Sequence, residues 1–120
     1  MTKVEIDQIF LAKHSLLTQR FYLAKGAGQI TPVLQALFDK AHGYLTLTHE
    51  RAIRLLGAEA EARGEGDYLV DEKRDDETGA ILTPGTKLRS QELAEALTGP
   101  FQLTPAQRQI VKTRWGVTFE

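Results

Sequence analysis

Apolar residues recur at three- and four-residue spacing through Ile6, Ile9, Phe10, Leu16, Leu17, Phe21 and Ala24, the period of one face of an α-helix. Lys13 alone interrupts the stripe. Thr2 followed by Glu5 fits a capping box, in which the hydroxyl accepts from the Glu5 amide and the carboxylate returns to the cap. Gly26 and Gly28 supply a stop. The pattern predicts a first helix over about Lys3 to Lys25. Val4, Leu11, Tyr22 and Leu23 widen its apolar sector, so it is expected to pack on more than one side and to offer a self-association face, with a homodimer as one partner state.

Thr31-Pro32 combines a cap with proline at the first helical position, where the missing amide proton costs nothing. Leu34, Leu37, Phe38 and Ala41 then form one face, and Gly43 is expected to end a second helix near His42. A third is expected from Thr46 or Thr48 to Arg63, carrying Ala52, Ile53, Leu56 and Ala60 inward. Tyr68-Leu69-Val70 and Ala80-Ile81-Leu82 flank a polar run from Asp71 to Gly79, the pattern of a short hairpin with a long tip. Thr83-Pro84-Gly85-Thr86 reads as a type II turn with glycine at positive φ. Ser90 is placed as the cap of a fourth helix ending near Leu97, with Leu93, Ala94 and Leu97 inward. Thr104-Pro105-Ala106-Gln107 opens a fifth, with Ile110 and Val111 inward, which runs to about Trp115 and is stopped by Gly116. Val117-Thr118-Phe119 follows as a short strand or a docked tail.

The expected architecture is mainly α: a compact bundle of about five helices with a small β-hairpin inserted between helices three and four. One domain spans residues 1–120, with a three-helix part (1–63), an acidic hairpin or loop (64–83), and two short helices with a tail (84–120). A chain of 120 residues, 42% hydrophobic and 26% charged, affords such a core and is not a disordered composition.

Charge changes the picture once it is mapped. Fifteen Lys and Arg against sixteen Asp and Glu give a net charge of -1, without the basic excess of an avid nucleic-acid binder. Residues 58–80, however, carry nine acidic and three basic side chains. The absence of cysteine excludes disulfides, thiolate metal sites and a cysteine nucleophile. The opening Met1-Thr2-Lys3-Val4-Glu5-Ile6-Asp7 lacks the apolar run of a secretory signal, and no stretch approaches the roughly 18 apolar residues of a bilayer span. A cytoplasmic location without a membrane partner is the expectation.

Candidate chemistry is sparse. The histidines are His14, His42 and His49. Asp39 with His42, plus His49-Glu50 across Gly43, is the best local grouping, but no HExxH spacing occurs. His42 is instead expected to complement a helix C-terminus, and His49 to lie on the surface in a first turn. Ser15 and Ser90 stand in no GxSxG setting. Lys25-Gly26-Ala27-Gly28-Gln29 follows a helix and lacks GxxxxGK[ST], so it is no phosphate loop. The acidic run lacks EF-hand spacing. No catalytic residue, cofactor or metal is assigned.

Elimination leaves a non-enzymatic protein–protein interaction module: a small regulator, inhibitor or assembly factor acting on a larger complex. Asp71, Glu72, Asp75, Asp76 and Glu77 would form a negative tip that steers a basic partner or imitates phosphates. Arg108, Lys112 and Arg114 form a second candidate surface on the last helix, where Trp115 is expected in the core. The alternative is a weak DNA-binding regulator, with a helix-turn-helix at Gly43 presenting Lys40, Arg51 and Arg54. A small enzyme built on Asp39, His42 and His49 comes third.

Overall fold

The computed structural model describes residues 1–119. It is mainly helical, with α1 (Lys3–Gly26), α2 (Pro32–Arg54), α3 (Ala58–Ala62), α4 (Arg89–Thr98) and α5 (Pro105–Trp115). Strands β1 (Lys73–Arg74) and β2 (Ile81–Thr83) form an antiparallel hairpin between the third and fourth helices. Three threonine caps form as expected, although at α1 the Glu5 carboxylate accepts from the Thr2 hydroxyl instead of returning to the cap amide. Thr2, Thr31 and Thr104 each accept the amide of the residue three positions on, and Gln107 Oε1 returns to the Thr104 amide.

One helix boundary is corrected. Gly43 does not stop a helix: α2 runs unbroken through it to Arg54. The ring of Phe101 lies over Gly43, and a Cβ built there would fall 2.4 Å from Phe101 Cε1. This glycine serves a close approach instead of a turn. The chain breaks at Gly57, which takes φ 69°, and only Ala58–Ala62 of the expected third helix forms separately. Gly43→Ala gains about 1 kcal/mol of helix propensity but overpacks Phe101 by about 1–3 kcal/mol. We expect net destabilisation in urea melts, turning to net stabilisation when Phe101 is also truncated to alanine.

Helix α2 is central and packs against α1, α4 and α5. Phe21 and Phe38 stack at 3.8 Å between α1 and α2, and Trp115 meets both edge-on at 5.9 and 6.1 Å. Leu17, Leu37, Ala41, Leu45, Leu103 and Val111 complete the core around them. Trp115 is thus a core residue, as expected. Ile110 is not: it is 40% exposed, because Val111 and Trp115, four apart, set the inward stripe of α5. After Gly116 in the left-handed conformation the tail docks in extended form, with Val117 buried.

The molecule is elongated instead of a compact bundle, measuring 57 × 28 × 26 Å. Its radius of gyration of 17.6 Å exceeds the roughly 13–14 Å of a compact chain this long. Two long helices lie side by side, and the hairpin region extends from the end where α2 finishes and α4 starts.

Hairpin register also differs from expectation. Lys73 pairs with Thr83 and Arg74 with Ile81, so β1 comes from the segment expected to be the tip while β2 overlaps the expected second flank. Tyr68–Val70 pairs instead with Lys87–Arg89: Leu69 bridges Leu88, the Val70 amide donates to Lys87 O (2.9 Å), and the Arg89 amide donates to Tyr68 O (2.7 Å). The expected type II turn is absent, since Gly85 does not adopt positive φ. A Cβ at Gly85 would lie 2.5 Å from Leu69 Cβ, so the chain runs close alongside Leu69 there and the pairing shifts towards residue 88.

Candidate functional site

Residues 68–88 form an arm whose acidic side chains have divided roles. Asp71 Oδ1 accepts the amides of Thr86 (2.9 Å) and Lys87 (3.1 Å), while Oδ2 accepts the Thr86 hydroxyl (2.8 Å). The Thr86 hydroxyl and these two amides hold the Asp71 carboxyl down at about 2. Asp75 Oδ1 accepts the amides of Glu77 and Thr78 and shapes the tip, which lowers its carboxyl too. Glu72 pairs with Arg74. Asp76 and Glu77 remain, exposed and with no side-chain partner among the described residues. Beside them on β2, Ile81 and Leu82 are 53% and 65% exposed. The sequence pattern places those two in a strand flanking the polar tip and does not distinguish them as surface.

The Asp71 clamp makes a pH prediction. Its folded value of about 2 lies below the unfolded value of about 3.9. Its stabilisation is therefore complete above that unfolded value and fades as pH falls through about 2. The Thr86 and Lys87 amides should lose exchange protection over that window, and Asp71→Asn should remove the dependence.

The arm is anchored at its base by Asp67. Ser90 does not cap α4, which begins one residue earlier at Arg89. Ser90 lies inside the first turn, buried, and Asp67 reaches it from the preceding loop. Asp67 Oδ1 accepts the Ser90 amide (2.9 Å) and the Tyr68 amide (3.1 Å), and Oδ2 accepts the Ser90 hydroxyl. Burial pushes this carboxyl up, but the Ser90 and Tyr68 hydrogen bonds outweigh it and hold the group below the ordinary value.

Basic residues offered for DNA contact are engaged within the fold. Arg51 Nε donates to Ser90 O (3.3 Å), and Arg54 donates to Gly66 O (3.2 Å) and lies over the Tyr68 ring. Glu50, which also pairs with Arg54, takes a two-point contact at 2.9 and 3.0 Å from Arg89, a residue outside that set that pairs with Glu92 as well. Lys40 Nζ donates to Gln107 at 3.4 Å. With α2 continuous, no turn separates two helices at Gly43, and the helix-turn-helix expectation is corrected. On α5, Arg108 donates to the Tyr44 hydroxyl (3.3 Å) across its ring, whereas Lys112 and Arg114 are exposed.

The expected Asp39–His42–His49 grouping does not assemble. Asp39 is exposed and accepts from Gln35. His42 and His49 both lie inside α2, neither at a helix end nor in a first turn. His42 Nε2 instead meets His14 Nε2 at 3.0 Å, and His49 Nε2 meets Asp7 Oδ1 at 2.8 Å, with Phe10 stacked on the His49 ring at 4.3 Å. The hydrogen bond from His49 lowers the Asp7 carboxyl. These contacts cross between α1 and α2, beyond the reach of local spacing. A groove of about 270 Å³ beside them is walled mainly by Ile6, Ile9, Phe10, Tyr44, Leu45 and Phe119. Among the described residues, no three His, Asp or Glu side chains converge to hold a metal, and no helix is long and apolar enough to cross a membrane.

No protein-family model, curated protein or solved structure matches this chain.

Proposed function

We propose that the protein is a non-enzymatic interaction module, a small regulator, inhibitor or assembly factor of a larger complex, and that the arm of residues 68–88 is its contact surface. The observation that carries this reading is the exposure of Ile81 and Leu82 beside the unpaired acids Asp76 and Glu77. Adjacent strand residues point to opposite faces, so both faces of the hairpin offer an apolar side chain. Desolvating them supplies affinity, and the acidic tip steers a basic protein partner. Two free acids make a short negative patch, better suited to a basic side-chain cluster than to imitation of a phosphate track. The Asp67 and Asp71 anchors hold the arm in shape before contact, which reduces the ordering cost of binding.

The test is capture from extract of the native host, compared by quantitative mass spectrometry. Wild type should retain a basic protein that is lost when Ile81 and Leu82 become serine and Asp76 and Glu77 become lysine. Capture should survive Lys112→Glu with Arg114→Glu. Equal recovery by the arm variant overturns the proposal. A DNA-binding reading now rests on Lys112 and Arg114 of α5, which are exposed. It predicts the opposite sensitivity and a steep loss of duplex binding with salt.

A further inference from the structure

We infer that His14 and His42 together chelate a divalent ion of the imidazole-seeking class (zinc, copper(II) or nickel(II)) through their two Nε2 atoms. The rings come from α1 and α2 and bring these atoms to 3.0 Å. A metal with bonds of about 2.0–2.1 Å sets two nitrogen ligands about 2.9 Å apart at a right angle and about 3.4 Å apart at a tetrahedral angle. The observed spacing falls inside that range, so both nitrogens can reach one ion by side-chain shifts of about 0.4 Å or less. The ring centroids are 5.0 Å apart, well beyond the separation of the two nitrogens. Each ring therefore presents its Nε2 edge to the other, as shared coordination requires.

The pair also differs from the third histidine in being uncommitted. His49 Nε2 meets Asp7, which Lys3 pairs as well. Among the described residues, the rings of His14 and His42 hydrogen-bond only to each other and have no charged partner. They are held from both ends of the pair. Phe10 lies 5.3 Å from the His14 ring and Phe38 6.0 Å from the His42 ring, and Phe38 is itself fixed by its stack on Phe21. Ligands ordered in advance give up little freedom on binding. Both histidines are half-buried, so water can fill the remaining positions on the ion. Because no third His, Asp or Glu converges with them among the described residues, the site is an open, exchangeable one and not a closed four-ligand structural centre. Magnesium and calcium, which take oxygen ligands, are not suited to it.

Chelation rearranges one proton. In the hydrogen-bonded pair one Nε2 carries the hydrogen and the other accepts it. With an ion bound, both Nε2 atoms give their lone pairs to the metal and the hydrogens reside on the Nδ1 atoms. A protonated imidazole has no lone pair to give, so acid competes with the metal.

Neither ligand belongs to the arm, and the inference stands or falls apart from the arm's role. Calorimetric titration of the full chain with zinc chloride at about pH 7.5 should show one ion per chain, with binding much weakened at about pH 5.5. His14→Ala and His42→Ala should each weaken it by about tenfold or more, since losing a ligand costs at least as much as losing one of its supports. His14→Gln keeps a hydrogen-bonding side chain without an imidazole and should lose binding equally, with circular dichroism confirming that each variant is folded. His49→Ala should leave the affinity within about twofold. Zinc should shift the ring resonances of His14 and His42, and magnesium chloride should shift neither. A wild type that takes up no zinc at millimolar concentration overturns the inference. Undiminished binding by folded His14→Gln or His42→Ala overturns it as well, because the ion then sits elsewhere, as on the acids of the arm.

Discussion

Trp115→Ala should lower the unfolding free energy by about 3–5 kcal/mol, a large fraction of the 5–15 kcal/mol typical of a folded chain. Trp115 is the single tryptophan, is 2% exposed, and closes the core between α1, α2 and α5. Its ring stands edge-on to both members of the stacked Phe21–Phe38 pair. Truncation removes the transfer free energy of an indole and leaves a cavity among rigid aromatic neighbours that collapse poorly. It also removes the two edge-to-face contacts, each worth about 0.5–1.5 kcal/mol. Trp115→Phe keeps an aromatic ring there and should cost less than half as much. Urea denaturation followed by far-ultraviolet circular dichroism measures both variants; a loss below about 1 kcal/mol for the alanine would contradict this description of the core.

Asp67→Ala should cost about 2–3 kcal/mol, a large effect for a loop residue. Ser90 is only 6% exposed, so its amide and hydroxyl cannot turn to water when the carboxylate is removed. Each unsatisfied buried group costs about 1–3 kcal/mol, the Ser90 amide being one of the first-turn donors of α4. Asp67→Ala with Ser90→Ala should cost less than the sum of the single changes, because the stranded hydroxyl is then absent. The acid limb carries a sign. Since the folded carboxyl titrates below its ordinary value, its contribution is complete above about 3.9 and is lost as pH falls through the folded value. Chemical denaturation at pH 7 and pH 3 should show a gap between wild type and Asp67→Ala that narrows in acid. Because Asp67 also accepts the Tyr68 amide, the variant should loosen the base of the arm, visible as faster exchange at Val70 and Arg89.

Helix starts were legible because their causes are local. Thr2, Thr31 and Thr104 each announce a cap within three residues, and the structure uses all three. Glycine was misread where its reason is tertiary. Gly43 and Gly85 resemble a stop and a turn, yet each is fixed by a distant side chain, Phe101 in one case and Leu69 in the other. Ser90 carried a capping signal that acts in a different way: it lies in the first turn and receives the carboxylate of Asp67. The acidic segment was legible as charge and not as structure, since which acids bind backbone amides depends on the loop's path. Asp71 and Asp75 are engaged, whereas Asp76 and Glu77 are free among the described residues. The histidine contacts were beyond spacing arguments, because Asp7 and His14 lie on α1 while His49 and His42 lie on α2.

The central claim, that the arm is the contact surface, is tested most directly by site-specific photocrosslinking. The cysteine-free chain permits a benzophenone label at Leu82→Cys on the arm or Thr113→Cys on α5, both replacing exposed residues. Irradiation in native-host extract should yield one dominant protein adduct from the Leu82 position and none from Thr113. The reverse pattern, or an adduct of equal yield from both, would contradict the account.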